Sequence, residues 1–95
     1  MQDSAVRSVA RDDAETMAIR VLAFLASRPE ELGRFLALAG LGPGNLRAAA
    51  ADPAFLSGVI AFLLQDEPLL LAFAAEAALP PAAIAAAGRM LGADA

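Results

Sequence analysis

Residues 21 to 50 lie over residues 59 to 88 without a gap, and this offset of 38 constrains the chain more than any other feature. The frame pairs Val21 with Val59, Phe24 with Phe62, Leu25 with Leu63, Leu32 with Leu70, Phe35 with Phe73, Leu41 with Leu79 and Pro43 with Pro81. Alanine pairs carry little weight in so alanine-rich a chain. Coincident phenylalanines, a valine and a proline in one ungapped frame point to an internal duplication. Helical repeats near 40 residues include the armadillo type, but a stable solenoid needs about three stacked units. Two units are expected to close on each other instead, as a compact all-α bundle of about six short helices with pseudo-two-fold symmetry.

Proline and acidic residues punctuate each unit in the same way. Asp12 or Asp13 can cap a first helix, Glu15 favours its N-terminal end, and Met17, Val21, Phe24 and Leu25 recur at helical spacing to about Ser27. Pro29 opens a second helix with Glu30 and Glu31 in its first turn, Leu32, Phe35, Leu36 and Leu38 on its apolar side, and Gly40 at its stop. Pro43 starts a short third helix carrying Leu46. Asp52-Pro53 then opens a fourth helix with Phe55, Leu56, Val59, Ile60, Phe62 and Leu63. Pro68 opens a fifth with Leu70 and Phe73, and Pro80-Pro81 a sixth with Ile84 and Leu91 before Gly92. Residues 1–11 carry no clear apolar stripe and read as a flexible N-terminal arm, leaving residues 12–92 as a single domain.

Composition removes whole classes of function. The chain has no cysteine and no histidine, so no disulfide, thiolate or ordinary transition-metal site is available, and the carboxylates lack the alternation of a calcium loop. The formal charge is −4, and all seven basic residues are arginines, a bias expected of a GC-rich genome. The start, Met1-Gln2-Asp3-Ser4, does not read as a secretory signal, which suggests a cytoplasmic protein. Although 59% of the residues are apolar, the run from Pro53 stops at Gln65-Asp66-Glu67-Pro68 and the next one contains Glu76 and ends at Pro80-Pro81. Both fall short of the ~20 residues that cross a bilayer. They read as core helices.

Catalysis needs a group whose pKa or nucleophilicity can be tuned, and His, Cys, Lys and Tyr are all missing. Ser4 and Ser8 lie in the arm, Ser27 at a helix junction, and Ser57 on a small-residue stripe with Gly58 and Ala61; none has a plausible base. Most carboxylates sit at helix starts, where capping explains them. Gly40-Leu41-Gly42-Pro43-Gly44 lacks the Lys and Ser/Thr of a phosphate-binding loop. No catalytic, cofactor-binding or metal residue is therefore expected. Leu36, Gly40 and Leu46 approximate the spacing of a helix-turn-helix, echoed by Ala74, Ala78 and Ile84. Only Arg47 and Arg89 would face nucleic acid from such helices, which is meagre for phosphate neutralisation by an acidic chain.

Where the two units differ, the second has lost polarity. Glu31, Gly33 and Arg34 correspond to Leu69, Leu71 and Ala72, and Asn45 and Arg47 to Ala83 and Ala85. Three consecutive leucines spread over about 200° of a helix, wider than a ~100° core stripe, so Leu69 or Leu71 should face outward unless something covers it. Leu69, Leu71 and Ala72 are thus the candidate surface for an unknown protein partner or a homodimer. Coverage by the arm or the first helix is the competing expectation.

The segments Ala14-Glu15-Thr16-Met17-Ala18, Leu22-Ala23-Phe24-Leu25-Ala26, Leu32-Gly33-Arg34-Phe35-Leu36, Asp52-Pro53-Ala54-Phe55-Leu56 and Phe62-Leu63-Leu64-Gln65-Asp66-Glu67 together resemble a known family. It is the alphaproteobacterial domain-of-unknown-function family 3572, and the likeness covers about residues 13 to 92. One departure is Ala77-Ala78-Leu79, where Ala39-Gly40-Leu41 would lead one to expect a glycine. The resemblance implies a bacterial cytoplasmic protein and brings no activity, ligand or catalytic residue. The expected function is a non-catalytic protein–protein interaction module. The alternatives are a helix-turn-helix-like regulator contacting DNA or the transcription apparatus, and a carrier of a small apolar ligand.

Overall fold

The structure is a computed structural model that describes residues 2–92, with side chains described from Arg11 onward except Pro43. Six α-helices follow one another, and no strand occurs among the described residues. They are α1 (Gln2–Ala26), α2 (Pro29–Ala39), α3 (Leu46–Ala49), α4 (Pro53–Leu64), α5 (Glu67–Ala77) and α6 (Pro81–Leu91), with a 3₁₀ turn at Pro43–Asn45 leading into α3.

Local chemistry sets most of these boundaries. Proline stands at the first or second position of α2, α4, α5 and α6, where its missing N–H has no partner to lose. The Asp52 carboxylate caps α4 by accepting from the Ala54 N–H at 2.9 Å, and Asp66 caps α5 by accepting from the Leu69 N–H at 3.2 Å. At the far end of α2, Gly40 adopts the left-handed conformation (φ 71°), its N–H donating to Ala37 O and the Leu41 N–H to Leu36 O. Ala78 does the same for α5 at φ 56°, with bonds from Ala78 N to Ala75 O and from Leu79 N to Ala74 O. The turn is the same as at Gly40, built without the glycine.

Two sequence expectations change at this level. The first helix begins at Gln2 rather than near Asp12, because no glycine or proline interrupts the chain before Pro29. Asp12 and Asp13 are accordingly exposed interior residues of α1 and cap nothing, while Arg11 and Glu15 form an i,i+4 ion pair at 3.8 Å along it. The flexible arm read at residues 1–11 falls, as far as side chains 1–10 are concerned, outside the described residues. The expected two-fold relation is also broken in the third helix of each unit. Four-residue α3 is a single turn before Pro53, whereas α6 runs for 11 residues and packs between α1 and α4.

The core follows from helical spacing. Ala14, Ala18, Val21 and Leu25 of α1, Leu56, Val59, Ile60 and Leu63 of α4, and Ile84 and Ala87 of α6 are all buried. Small residues Ala14 and Ala18 of α1 and Ala87 and Gly88 of α6 are buried, and α1 and α6 make the most extensive helix contact among the described residues. α2 rests on α1 and α4, and α5 on α4 and α6, so these two helices flank a three-helix centre. Among the described residues no single helix is long and apolar enough to cross a membrane; α4 and α5 reach that length only as a pair, bent by 106°.

Candidate interaction groove

α4 is apolar on both sides. Leu56, Val59, Ile60 and Leu63 face the core, while Phe55, Gly58, Ala61 and Phe62 form a second stripe that is only partly covered. α2 stands beside this stripe, with Phe35 buried and Leu38 75% exposed. Between them runs an open groove of about 520 Å³, lined by Leu41, Ala49 and Asp52 toward the start of α4 and reaching Gln65 at its end. Its floor is aromatic. The Phe35 ring meets Phe55 at 5.5 Å and Phe62 at 5.3 Å, both edge to face, a geometry favoured by the aromatic quadrupoles. Arg34 flanks it, its guanidinium 5.2 Å from the Phe62 ring centre and donating to Asp66 Oδ2 at 2.7 Å.

A smaller hollow of about 390 Å³ lies between α1 and α5. Each of its lining residues stands 38 positions from one lining the first groove. Arg20, Ala23, Phe24 and Ser27 answer to Gly58, Ala61, Phe62 and Gln65, and Phe73, Glu76 and Ala77 to Phe35, Leu38 and Ala39. Even the aromatic contact recurs, with Phe24 and Phe73 at 5.4 Å edge to face. The chemistry does not. Arg20 and Glu76 border the α1–α5 hollow, Glu76 lies 3.9 Å from Arg28, and Arg28 covers the Phe24 ring at 4.6 Å. At the matching places the α2–α4 groove has a glycine and a bare leucine.

Gly58 lacks an internal explanation. A Cβ there would meet nothing within 4 Å, so no neighbouring group of the monomer requires glycine, although glycine within a helix costs about 0.5–1 kcal/mol relative to alanine. Exposed Leu38 and bare Gly58 face the same groove.

Residues 11–94 match the family model described as a protein of unknown function, DUF3572. The chain belongs to this family. No curated protein and no solved structure matches it. The DUF3572 region takes in every residue of both the groove and the hollow.

Within this DUF3572 fold two of the three candidate surface residues, Leu69 and Ala72, line one hollow, and Leu71 stands apart from them. Leu69 is 5% exposed and belongs to the core, so it is no part of an outward face. Leu71, two positions and ~200° further round α5, is 50% exposed. Ala72 is half-buried beside Arg28, Arg34 and Asp66 in a polar hollow at the N-terminal ends of α2 and α5. Among the described residues no group of three or more acidic side chains could hold a metal ion. Ser27 donates its hydroxyl to Phe24 O at 2.7 Å. The Ser57-Gly58-Ala61 small-residue stripe did hold a signal of the groove, since its Gly58 and Ala61 line the floor.

Proposed function

We propose that this chain is a non-catalytic interaction module that holds an apolar segment of another protein in the groove between α2 and α4. One observation carries the reading. At matching positions of two otherwise similar hollows, the α1–α5 hollow has Arg20 and a Glu76 that pairs with Arg28, and the α2–α4 groove has Gly58 and exposed Leu38. Such replacement in one place only is what selection for a docking surface leaves behind. We further read the two halves as products of duplication. Supporting this, the offset of 38 carries the limits of α2 onto those of α5, the end of α1 onto that of α4, and the Gly40 turn onto the Ala78 turn. A bacterial, cytoplasmic setting is part of the same proposal and rests on the family likeness.

Nucleic-acid recognition finds less support. In the first half the helix that would enter a groove of DNA is one turn long, and Arg47 is its lone cation. A small apolar ligand remains the second reading, since 520 Å³ suits one.

The test is a photo-crosslinking amino acid placed at position 38 and, separately, at position 76 in the native host. Adducts of discrete mass at 38 and none at 76 are expected. An adduct at twice the chain mass identifies a homodimer as the occupant. Equal labelling at both positions, or none at either, refutes the groove as a docking surface.

A further inference from the structure

Resting on that reading of the groove, we infer that its occupant is a cationic amphipathic helix of a partner protein. The shape fits a helix. The groove follows α4 from Asp52 to Gln65, a span of ~20 Å at 1.5 Å per residue, which accommodates three to four turns. Its floor presents Phe35, Phe55 and Phe62, suited to large apolar side chains recurring at i, i+4 and i+7. Gly58 sits midway along α4 with open space above it, a place where a second helix can approach the α4 backbone closely.

The electrostatics fix the sign of the partner. No basic side chain lines the groove. Asp52 stands at one end, and beyond Gln65 a smaller hollow sharing Leu38 and Phe62 continues to Asp66 and Glu67. Arg34 borders that hollow but is held by Asp66, while Asp52 and Glu67 form no ion pair among the described residues. The C-terminal end of α2, beside Leu41, lies toward the Asp52 end and that of α4 at Gln65, each carrying the negative pole of its helix, and neither has a basic residue in its last turn. An apolar floor with negative potential at both ends suits an apolar stripe flanked by Lys or Arg. It disfavours an acidic helix, and it disfavours a fatty acid, whose carboxylate would have to lie near Asp52 or Glu67.

The experiment is selection of random 16-residue peptides displayed against the wild-type protein, with counter-selection on Leu38→Glu/Gly58→Arg, which gives the groove the side chains of its counterpart. Both positions are on the surface, and circular dichroism confirms that the variants are folded. Gly58→Arg alone serves as the second variant. Expected are peptides with apolar i, i+4, i+7 spacing and net positive charge. They should bind roughly fivefold more weakly to Asp52→Asn/Glu67→Gln, where asparagine preserves the helix cap, and lose affinity as salt rises. Neutral or acidic peptides that need Leu38 but ignore the Asp52 and Glu67 changes overturn the cationic partner and leave the groove as a docking site. A selection yielding no peptide that distinguishes the wild type from the groove variants overturns the docking reading itself.

Discussion

Ala78→Gly is predicted to stabilise this protein. Residue 78 holds φ 56° and ψ 44°, the left-handed region, which costs an L-residue roughly 1–2 kcal/mol because its Cβ crowds the neighbouring carbonyl. Glycine removes that crowding but gains unfolded-state freedom of about 0.4–1 kcal/mol. Ala78 is exposed and absent from the core, so little packing is lost, and its N–H and that of Leu79 keep their bonds to Ala75 and Ala74. The net gain is about 0.5–1 kcal/mol, or a Tm rise of roughly 3–6 °C for a domain of this size. Gly40→Ala should cost a similar amount, because Gly40 occupies the same conformation at the end of α2. With no Trp or Tyr in the chain, urea unfolding followed by far-UV circular dichroism is the suitable assay. A lowered midpoint for Ala78→Gly at unchanged m-value would falsify the left-handed assignment and the strain derived from it.

Phe35→Ala should cost about 3–5 kcal/mol, since it empties a buried site and breaks two edge-to-face contacts; denaturant unfolding measures it. Asp52→Ala should cost about 1 kcal/mol through loss of the cap on α4, and Asp52→Asn little, by the same measurement. Leu71→Asp at a half-exposed site should change stability by less than about 0.5 kcal/mol. Light scattering on that variant over a wide concentration range should show an unaltered mass, and a dimer split by the substitution would move the interface to α5. Gly58→Ala should gain about 0.5–1 kcal/mol in thermal unfolding while weakening peptide binding in the groove.

Helix starts were the most legible part of the chain, because proline and a capping aspartate act locally and need no knowledge of the fold. Pro29, Asp52-Pro53 and Pro81 mark three of the six starts directly. The start of α1 was misread at Asp12 and Asp13, since a capping residue in mid-helix looks the same in sequence as one at an end. Of the three leucines in α5, spacing alone said that one must face out; that it is Leu71 depends on α5 turning Leu69 and Phe73 toward the core. The groove was harder still. Phe55 and Phe62 carry the same hydrophobic signature as Val59 and Ile60, and which of them meets the core depends on how α4 is turned against α1 and α6. The offset between the halves contained the clue, in Leu38 opposite Glu76 and Gly58 opposite Arg20, but it becomes informative once both pairs are seen to line hollows.

The seating of α6 between α1 and α4 has a consequence for how the chain comes to be folded. Ile84 and Ala87 complete a centre whose other walls are made from the first and fourth helices, so the first half has no core of its own to settle into. The apolar faces of α1 and α4 stay incompletely covered until α6 has been made. The four-residue α3 takes no part in that seat, so the centre closes only when α6 arrives.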